Sequence, residues 1–380
     1  MIIKIDALDT LFFRDGKPFS LGEETWAEGV FPPNPGVLYG ALRSMYFAQN
    51  PQELHKANQE NDPTKDLRIN ALYFWVDDEP HFVCPLDYVQ DKSGHHKDSH
   101  LLTLQPIPFS GLAKYPLSHC LVPPVHQQVT HEEGLISLNA LEKYLLEHIS
   151  FGLATPWSTY VQTEPKVGIG RNKHTHSTQE GLLYRVGMVR PAYQLFREDT
   201  IAPTKRLSLM VDFEGLPQAS ELPQSGFLKL GGEGKTIHYQ TLDEEIDIPS
   251  QVIEGQAIFQ LVLLTPTIFE AGWHPKWLKF NNDLRTYVGE IKIDDHTKVS
   301  VELLAAAIGK PISIGGFDIQ QNLPKPMYKM VPAGSVYYFR LKKPKDAHLV
   351  QQKYHLGNIS EKRSKEGFGI TLFTQNPIQS

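Results

Sequence analysis

Hydrophobic and polar positions follow two different periods in the first half of the chain. A period of two over residues 2–8 predicts a strand with one buried face, and a period of 3.6 over 34–48, after an Asn-Pro start, predicts a helix. Apolar segments within 72–85 flank an acidic turn and predict a hairpin. A helix over 137–149 begins at a serine cap, and a long strand covers 181–189. This order is the βαββαβ pattern of a ferredoxin-like domain.

A second series of elements follows. It comprises strand-like segments at 207–213, 227–230, 256–264 and 335–341, and a helix between Ser300 and Gly309. Polar residues and a proline interrupt the pattern near residue 200, so we divide the chain into an N-terminal domain (1–200) and a C-terminal domain (201–380). The predicted fold class is α+β, with two ferredoxin-like (RRM-like, βαββαβ) domains in tandem, long loop insertions and glycine-rich loops. The insertions are 90–135 and 265–295.

The composition is that of a globular protein. The chain has 380 residues, 41% hydrophobic and 21% charged, which excludes disorder throughout and allows two sizeable cores. With 37 Lys and Arg against 43 Asp and Glu, the net charge is −6 and gives no whole-chain sign of a polyanion partner. The start MIIKIDALDT lacks a basic region followed by an apolar one, and no stretch is apolar enough to span a membrane. We therefore expect a cytoplasmic protein.

Cysteines and histidines indicate no metal site and no cofactor. Cys84 and Cys120 are the only cysteines, and without a CxxC pair they predict buried thiols rather than a disulfide framework or a thiolate zinc site. His95, His96 and His100 lie in a polar loop without a helical i, i+4 pair, and we expect a solvated loop there.

The positive charge is concentrated in two regions. Residues 325–365 carry ten Lys and Arg against two acidic residues, and 166–206 carry eight against three. Two acidic stretches offset this positive charge in the net charge of the whole chain: 53–98 has ten acidic residues against five basic, and 212–254 has nine against two. The basic regions suit a groove for a sugar-phosphate backbone, whereas the acidic stretches are candidates for protein neighbours or open solvent.

Four segments combine glycines with cations: 9–20, 167–190, 227–239 and 359–369. Glycine brings backbone N–H groups close to a ligand, and Lys or Arg neutralises phosphate. None of the segments is a Walker A loop, and no GxGxxG stands between a strand and a helix. For any single segment the alternative is a solvated turn.

At these segments the chain resembles the RAMP (repeat-associated mysterious protein) subunits of CRISPR effector complexes, specifically the third subunit of the type III-B, Cmr-type complex. The resemblance runs from end to end. It rests on DTLFFRDGKPF, FPPNPGVLYGALR, the GIGR…GLLYRVGMVR hairpin, LKLGGEGK, LTPTIFEAGWHPKW, and VPAGSVYYFR followed by EGFG.

The resemblance implies a non-catalytic, guide-RNA-binding subunit of an antiviral ribonucleoprotein. Such a subunit holds the repeat-derived 5′ tag of the CRISPR RNA, docks to the large polymerase/cyclase-like subunit, abuts adjacent RAMP backbone subunits and meets target RNA only indirectly. The hairpin near 166–190 is similar in position to the thumb of backbone subunits, where Arg171, Asn172 and Lys173 would contact the tag. The last loop departs from many RAMP proteins because it lacks the GxGxxxxxGxG spacing and keeps only the Gly-Phe-Gly of 367–369.

The residues predicted to bind RNA share a glycine-rich or basic setting. They are Arg14, Lys17, Arg43, Lys166, Arg171, Asn172, Lys173, His174, Arg185, Arg190, Gly231, Gly232, Lys235, Lys362, Arg363, Lys365, Gly367, Phe368 and Gly369. Arg14, Lys17 and Arg43 of the first domain, with Lys235 and the 362–365 cluster of the second, are expected to line a cleft between the domains. For Arg43 the alternative is simple pairing with a carboxylate.

Two other functions stay open at this point. The main alternative is a RAMP endoribonuclease that processes precursor CRISPR RNA, which needs a general base or acid in the RNA cleft. His174 is the candidate for that role. A small-molecule hydrolase built on the GWHPKW loop has little support, because the sequence offers no nucleophile with a nearby base.

Overall fold

The computed structural model of the chain is dominated by strands. It describes residues 1–14, 26–27, 29–92, 98–107, 117–126, 128–131, 133–172, 174–175, 177–193, 196–197, 200–201, 205–243, 245–318 and 323–375. The strands of the two large sheets and of one long hairpin are β1 (Ile2–Ala7), β2 (Arg68–Val76), β3 (Glu79–Val83), β4 (Gly134–Ser137), β5 (Thr155–Pro156), β6 (Gln162–Arg171), β7 (Thr178–Arg190), β8 (Lys205–Glu214), β9 (Ser225–Lys229), β10 (Thr236–Leu242), β11 (Ile258–Leu263), β12 (Lys279–Asn281), β13 (Thr286–Lys292), β14 (Lys298–Ala307), β15 (Val336–Leu341), β16 (Gly357–Asn358) and β17 (Ile370–Thr374).

Helices and short strands fill the connections. The helices in the described residues are α1 (Pro35–Gln49), α2 (Leu138–Glu142), which continues through a π-helical turn (Lys143–Glu147), and α3 (Ala347–Tyr354). The 3-10 helices in the described residues are Pro51–Lys56, Trp157–Thr159, Ala219–Glu221, Pro344–Asp346 and Ser364–Glu366. The short strands are Trp26–Ala27, Tyr88–Asp91, Ser99–Leu101, Thr103–Pro106, His119–Val122, Val129–His131, Ala192–Tyr193, Phe196–Arg197, Thr200–Ile201, Ile312–Ile314, Phe317–Asp318, Leu323–Pro324 and Tyr328–Met330. None of the described helices is long and apolar enough to cross a membrane.

Each large sheet contains the same antiparallel core. The first sheet has the order β5-β4-β3-β2-β8-β1-β10-β9, and the second has β12-β13-β14-β15-β11-β17-β16. Four neighbouring strands of the first sheet lie in the order β10-β1-β8-β2, and four of the second lie in the order β17-β11-β15-β14. In each set, the strand that comes fourth along the chain lies beside the first, and the third lies between the first and the second. The mixed α and β composition predicted from the sequence is confirmed.

The local elements of the first series form as predicted. Helix α1 begins at Pro35, although Asn34 makes no side-chain cap bond, and Ser137 accepts a hydrogen bond of 3.3 Å from the backbone N–H of Ala140 at the start of α2. Asp77 and Asp78, with φ of 49° and 65°, turn the chain between β2 and β3. These signals are local in the chain, which is why a period and a cap were enough to find them.

Three longer-range expectations are wrong. Strands β8 and β9, expected to open the second series, pair within the first sheet, so the change from one sheet to the other lies between β10 and β11 rather than near residue 200. The strand expected over 181–189 lies in the hairpin β6–β7 and not in the first sheet. The helix expected from Ser300 to Gly309 is strand β14. Its ladder with β15 shifts register between Leu303 and Ala305, and this irregularity leaves buried residues at a spacing that imitates a helix.

One continuous apolar core lies between the sheets. It joins side chains of the first sheet, such as Phe74 and Leu209, to Leu304 and Tyr338 of the second. A second core lies on the opposite face of the second sheet, where Phe259, Leu261, Leu303 and Phe339 pack with Val350 of α3. The alternation along β11 therefore divides its side chains between two cores, and the two sheets are held face to face by apolar contact.

Candidate nucleic-acid interface

A long antiparallel hairpin, β6–β7, stands out from the rest of the structure. Leu11 and Val189 exchange two backbone hydrogen bonds of 2.6 and 2.7 Å at its base, and Trp26–Ala27 pairs with Arg185 and Val186 midway along β7. Val186, Met188 and Val189 are buried, whereas Val167 and Ile169 on β6 are 58% and 50% exposed. The hairpin therefore has a packed base, and its strand β6 is exposed in the outer half.

Polar and cationic residues occupy the outer half of this hairpin. Arg171, His174 and Arg185 are exposed. The side-chain oxygen of Asn172 accepts hydrogen bonds from the backbone N–H groups of His174 (2.9 Å) and Thr175 (3.2 Å), so this residue closes the turn. Lys173 lies outside the described residues. The structure thus places Arg171, Asn172 and His174 at the outer end of the hairpin, and Arg185 lies opposite Val167, where the outer half begins.

Three other predicted residues meet at the base of the hairpin. Lys235 Nζ lies 2.7 Å from Asp9 Oδ2, and Arg190 Nη2 lies 3.3 Å from Asp9 Oδ1 and 2.9 Å from Glu164 Oε2. Lys166 Nζ is 3.0 Å from Glu233 Oε2. Hydrogen bonding from Lys235 lowers the pKa of the Asp9 carboxyl, and hydrogen bonding from Arg190 lowers that of Glu164. Each of these three cations is already paired with a carboxylate.

The glycines between β9 and β10 serve close packing. Gly231 has φ of 76°, and a Cβ at this position would lie 2.5 Å from the carbonyl oxygen of Phe12. The backbone N–H of Gly232 donates a hydrogen bond of 2.9 Å to the same oxygen. This loop therefore fixes the 9–14 segment against the base of the hairpin.

A cavity of about 520 Å³ lies between the two sheets. Its walls are mostly apolar. Trp157 makes edge-to-face contacts with Phe31 and Phe74, and Arg14 and Lys310 contribute cations. Of the residues predicted to line a cleft between domains, Arg14 is the one that the structure brings to this cavity. Lys17 lies outside the described residues.

Arg43 on α1 pairs with a carboxylate, as the alternative allowed. Its guanidinium donates to Asp62 Oδ2 at 2.6 Å, Thr64 Oγ1 at 2.8 Å and Asn58 Oδ1 at 3.0 Å. Asp62 is 5% exposed and also accepts hydrogen bonds from the backbone N–H groups of Asn58 and Thr64. Arg43 thus fixes the loop after α1.

The cations of the 359–369 segment are engaged within the protein. Arg363 donates two hydrogen bonds to Glu366, of 2.9 and 2.6 Å, and lies 4.8 Å from the ring centroid of Phe368. Lys362 Nζ lies 5.0 Å from the Tyr328 ring, and Lys365 Nζ donates to the carbonyl oxygen of Lys65 at 3.1 Å. The segment is therefore a junction with the first sheet and the loop after α1.

The Gly-Phe-Gly motif completes this junction. Gly367 and Gly369 have φ of 89° and 78°, and Phe368 is fully buried between them. A Cβ at position 367 would lie 2.9 Å from Ile69 Cγ2 of β2. These glycines allow a tight turn against the first sheet.

A family model described as "CRISPR-associated protein (Cas_Cmr3)" matches residues 3–375. The chain belongs to this family. No curated protein matches it in sequence. The resemblance to a Cmr-type CRISPR subunit is thereby confirmed at the level of the family.

Comparison with solved structures finds chains that are similar to this Cas_Cmr3 chain. A chain in the cryo-EM structure of the type III-B Cmr-beta bound to cognate target RNA and AMPPnP, state 1, has a TM-score of 0.50 and 14% identity, over 93% of this chain and 89% of that chain. The Cmr-beta bound to cognate target RNA gives 0.48 and 15% over the same shares. A chain of the Csm3-Csm4 subcomplex of the type III-A interference complex gives 0.38 and 10%, over 99% and 100%. The first match shows a shared fold.

Sequence reasoning did not identify the acidic partners in this Cas_Cmr3 protein, although it gave pairing with a carboxylate as the alternative for Arg43. Asp9, Glu164 and Glu233 hold three of the predicted cations, and Asp62 holds a fourth. Asp9 and Lys235 are 226 residues apart, so no local spacing connects them. The one available signal was the mixture of acids and cations within the glycine-rich segments themselves, such as the glutamate in GGEGK.

Proposed function

We propose that this chain is a non-catalytic guide-RNA-binding subunit of a type III-B CRISPR effector complex, the third subunit of the Cmr type and a RAMP protein. It would act in the cytoplasm in antiviral defence. It would hold the 5′ tag of the CRISPR RNA, dock to the large polymerase/cyclase-like subunit, abut RAMP backbone subunits and meet target RNA indirectly. Membership of the Cas_Cmr3 family supports the CRISPR role.

The observation that carries RNA binding is the hairpin β6–β7, whose strand β6 is mostly exposed. Its outer half offers exposed Arg171 and Arg185 for phosphates, and the exposed Val167 and Ile169 for contact with sugar or base surfaces. We propose Arg171, Lys173 and Arg185 as the first contacts, with His174 at the tip. Lys166, Arg190 and Lys235 would reach phosphate only by exchanging a carboxylate partner for it.

Two ferredoxin-like units in tandem are part of the proposal. The common strand order of the two sheets supports them. We propose that the first unit extends from β1 to β10 and the second from β11 to β17. The thumb-like hairpin is then an insertion between β5 and β8 of the first unit.

Co-expression with the genomic neighbours tests the proposal. The complex is purified by a tag on this chain, and the bound RNA is quantified and sequenced from its 5′ end. A shared 5′ end is expected, and Arg171→Glu with Arg185→Glu should lower the RNA retained by roughly tenfold, increasingly at higher salt. Lys292→Glu with Lys298→Glu, an exposed pair on β13 and β14 of the second sheet, is the matched control. Equal RNA in both double variants would overturn the assignment.

The same preparation tests the enzymatic alternative. Purified protein is incubated with repeat RNA, and wild type is compared with His174→Ala. We expect no cleavage in either case. Cleavage that depends on His174 would overturn the non-catalytic assignment, because a general base or acid at the hairpin tip would then be present.

A further inference from the structure

Strand β9 forms one edge of the first sheet. In the described residues it pairs with β10 alone, with Phe227 opposite His238 and Ser225 opposite Gln240. A strand with one neighbour presents backbone N–H and C=O groups on its free side, and these can accept a further strand. The inner face of β9 is held in place, because Leu228 is buried there.

Phe227 makes this edge unusual. Its side chain is 67% exposed, the highest fraction among the large apolar side chains that the structure describes. Its ring meets the imidazole of His238 at a centroid distance of 5.5 Å, so the phenyl group stands on the outer face of the sheet with its other side open. An exposed aromatic ring beside free backbone groups is typical of a site that adds a strand from a partner.

The flank of this edge is acidic. Glu221 precedes β9, and Asp243 and Glu245 follow β10 at the same end of the ladder; all three are exposed. No ion pair to any of these three carboxylates is found among the described residues. The nearest basic residue in the strand is Lys229, at the opposite end. The edge therefore combines an apolar centre with a negative end.

We propose that β9 is a docking edge for an extended segment of a neighbouring protein subunit, which pairs along Ser225–Lys229, packs an apolar side chain on Phe227 and directs Lys or Arg toward Glu221, Asp243 and Glu245. This inference rests on the proposed function, because it takes the chain to be one subunit of a complex. It adds a defined contact surface and the chemistry of the segment that fits it.

The charge of this edge favours a basic protein segment over RNA or a second copy of this chain. RNA is repelled by the three carboxylates, which offer phosphate no compensating cation. A second copy of this chain, paired antiparallel, would bring one Lys229 toward the acidic end of its partner and leave most of the negative charge unmatched. A basic segment of a different subunit matches both the acidic end and the apolar centre.

The test uses the complex co-expressed with its genomic neighbours and purified by a tag on this chain. Phe227→Ser, and separately Glu221→Lys with Asp243→Lys, should each lower the same co-purified subunit by about tenfold. The controls are Leu54→Ser, whose side chain is 59% exposed, and Asp283→Lys with Asp295→Lys on the second sheet. Retention of every subunit in both edge variants would overturn the inference.

A photo-cross-linking amino acid, benzoylphenylalanine, in place of Phe227 identifies the occupant. A cross-link to a peptide of another subunit that contains Lys or Arg supports the proposal. A cross-link to RNA, or to a second copy of this chain, overturns it. RNA is quantified in the same samples. Absence of guide RNA from the wild-type complex would count against the proposed function. Edge variants that keep both the neighbouring subunit and the RNA would count against the docking edge alone.

Discussion

The Tyr338 hydroxyl donates a hydrogen bond of 2.6 Å to Asp87 Oδ2 and so connects the second sheet to the segment that follows β3 of the first. Tyr144, in the π-helical turn after α2, donates to both oxygens of the same carboxylate at 3.0 and 2.8 Å. All three side chains are fully buried. Burial raises the pKa of Asp87 to about 6, against the lowering effect of the two tyrosine hydrogen bonds.

The stability of the protein should therefore fall as pH rises through this range. Between about pH 4 and pH 6 the native Asp87 keeps its proton while the unfolded chain releases it, so the free energy of unfolding decreases by about 3 kcal/mol. Asp87→Asn removes the titrating carboxyl, and with it this loss of stability, and keeps a side-chain oxygen that accepts hydrogen bonds from the two tyrosines. Denaturant titrations at pH 4.5 and pH 8 measure the wild-type and variant stabilities. Relative to wild type, the variant should be more stable at pH 8 than at pH 4.5. A difference in the free energy of unfolding that is the same at both pH values would contradict this account.

Removing one of the two donors should have the opposite pH dependence. Tyr338→Phe leaves the Asp87 carboxylate with Tyr144 as its remaining hydroxyl donor, and a lost hydrogen bond to a buried charged group costs about 2 kcal/mol. The loss should be larger at pH 8, where the carboxylate is charged, than at pH 4.5. Tyr354→Phe, at another buried tyrosine of the second sheet's core, is the control. Equal losses in the two variants at both pH values would argue against a special role for the Asp87 contact.

Local patterns predicted local elements well. Helix α1, the β2–β3 hairpin and most of β7 follow from periods and turn residues that lie within one short window. The sheet to which each strand belongs could not be predicted in this way. Strand β1 pairs with β8 across about 200 residues, and no feature of either sequence identifies the other as its partner. Strand β14 was misread because its bulge shifts the inward positions by one residue.

The candidate site could be predicted in part, for a related reason. The cations were visible in the sequence, but their carboxylate partners were not, since Asp9 meets Lys235 and Arg190 only once β1, β7 and β10 are assembled. Arg363 and Phe368 looked like a basic glycine-rich loop. Their stacking with each other, and the pairing of Arg363 with Glu366, make them part of the junction between the sheets.

Arg43 should matter for stability rather than for RNA. Arg43→Ala removes three hydrogen bonds and the cation beside the buried carboxylate of Asp62, and it should lower the free energy of unfolding by about 2 kcal/mol. Thermal unfolding and RNA retention in the co-expressed complex are measured together. We expect lower stability with unchanged RNA. A loss of RNA at full stability would instead assign Arg43 to the RNA contact.

The two cysteines should differ in reactivity. Cys84 is buried, whereas Cys120 is half-buried and lines a cavity of about 400 Å³. A thiol reagent added to the native protein should modify Cys120 first and Cys84 only on unfolding. Cys120→Ser should abolish the fast phase, and Cys84→Ser should leave it intact. Two equally fast thiols in the native protein would contradict the buried position of Cys84.

Substitution by alanine should change the stability of the protein in opposite directions at Gly367 and at Gly40. Gly367→Ala forces a residue with a side chain to keep a φ of 89° and brings its Cβ to 2.9 Å from Ile69, so it should lower the free energy of unfolding by about 2 kcal/mol. Gly40→Ala lies within α1 where a Cβ has no atom within 4 Å, and it should raise stability by up to about 1 kcal/mol. Denaturant unfolding of both variants measures the contrast. Equal effects of the two substitutions would contradict a turn at Gly367 that is held against the first sheet.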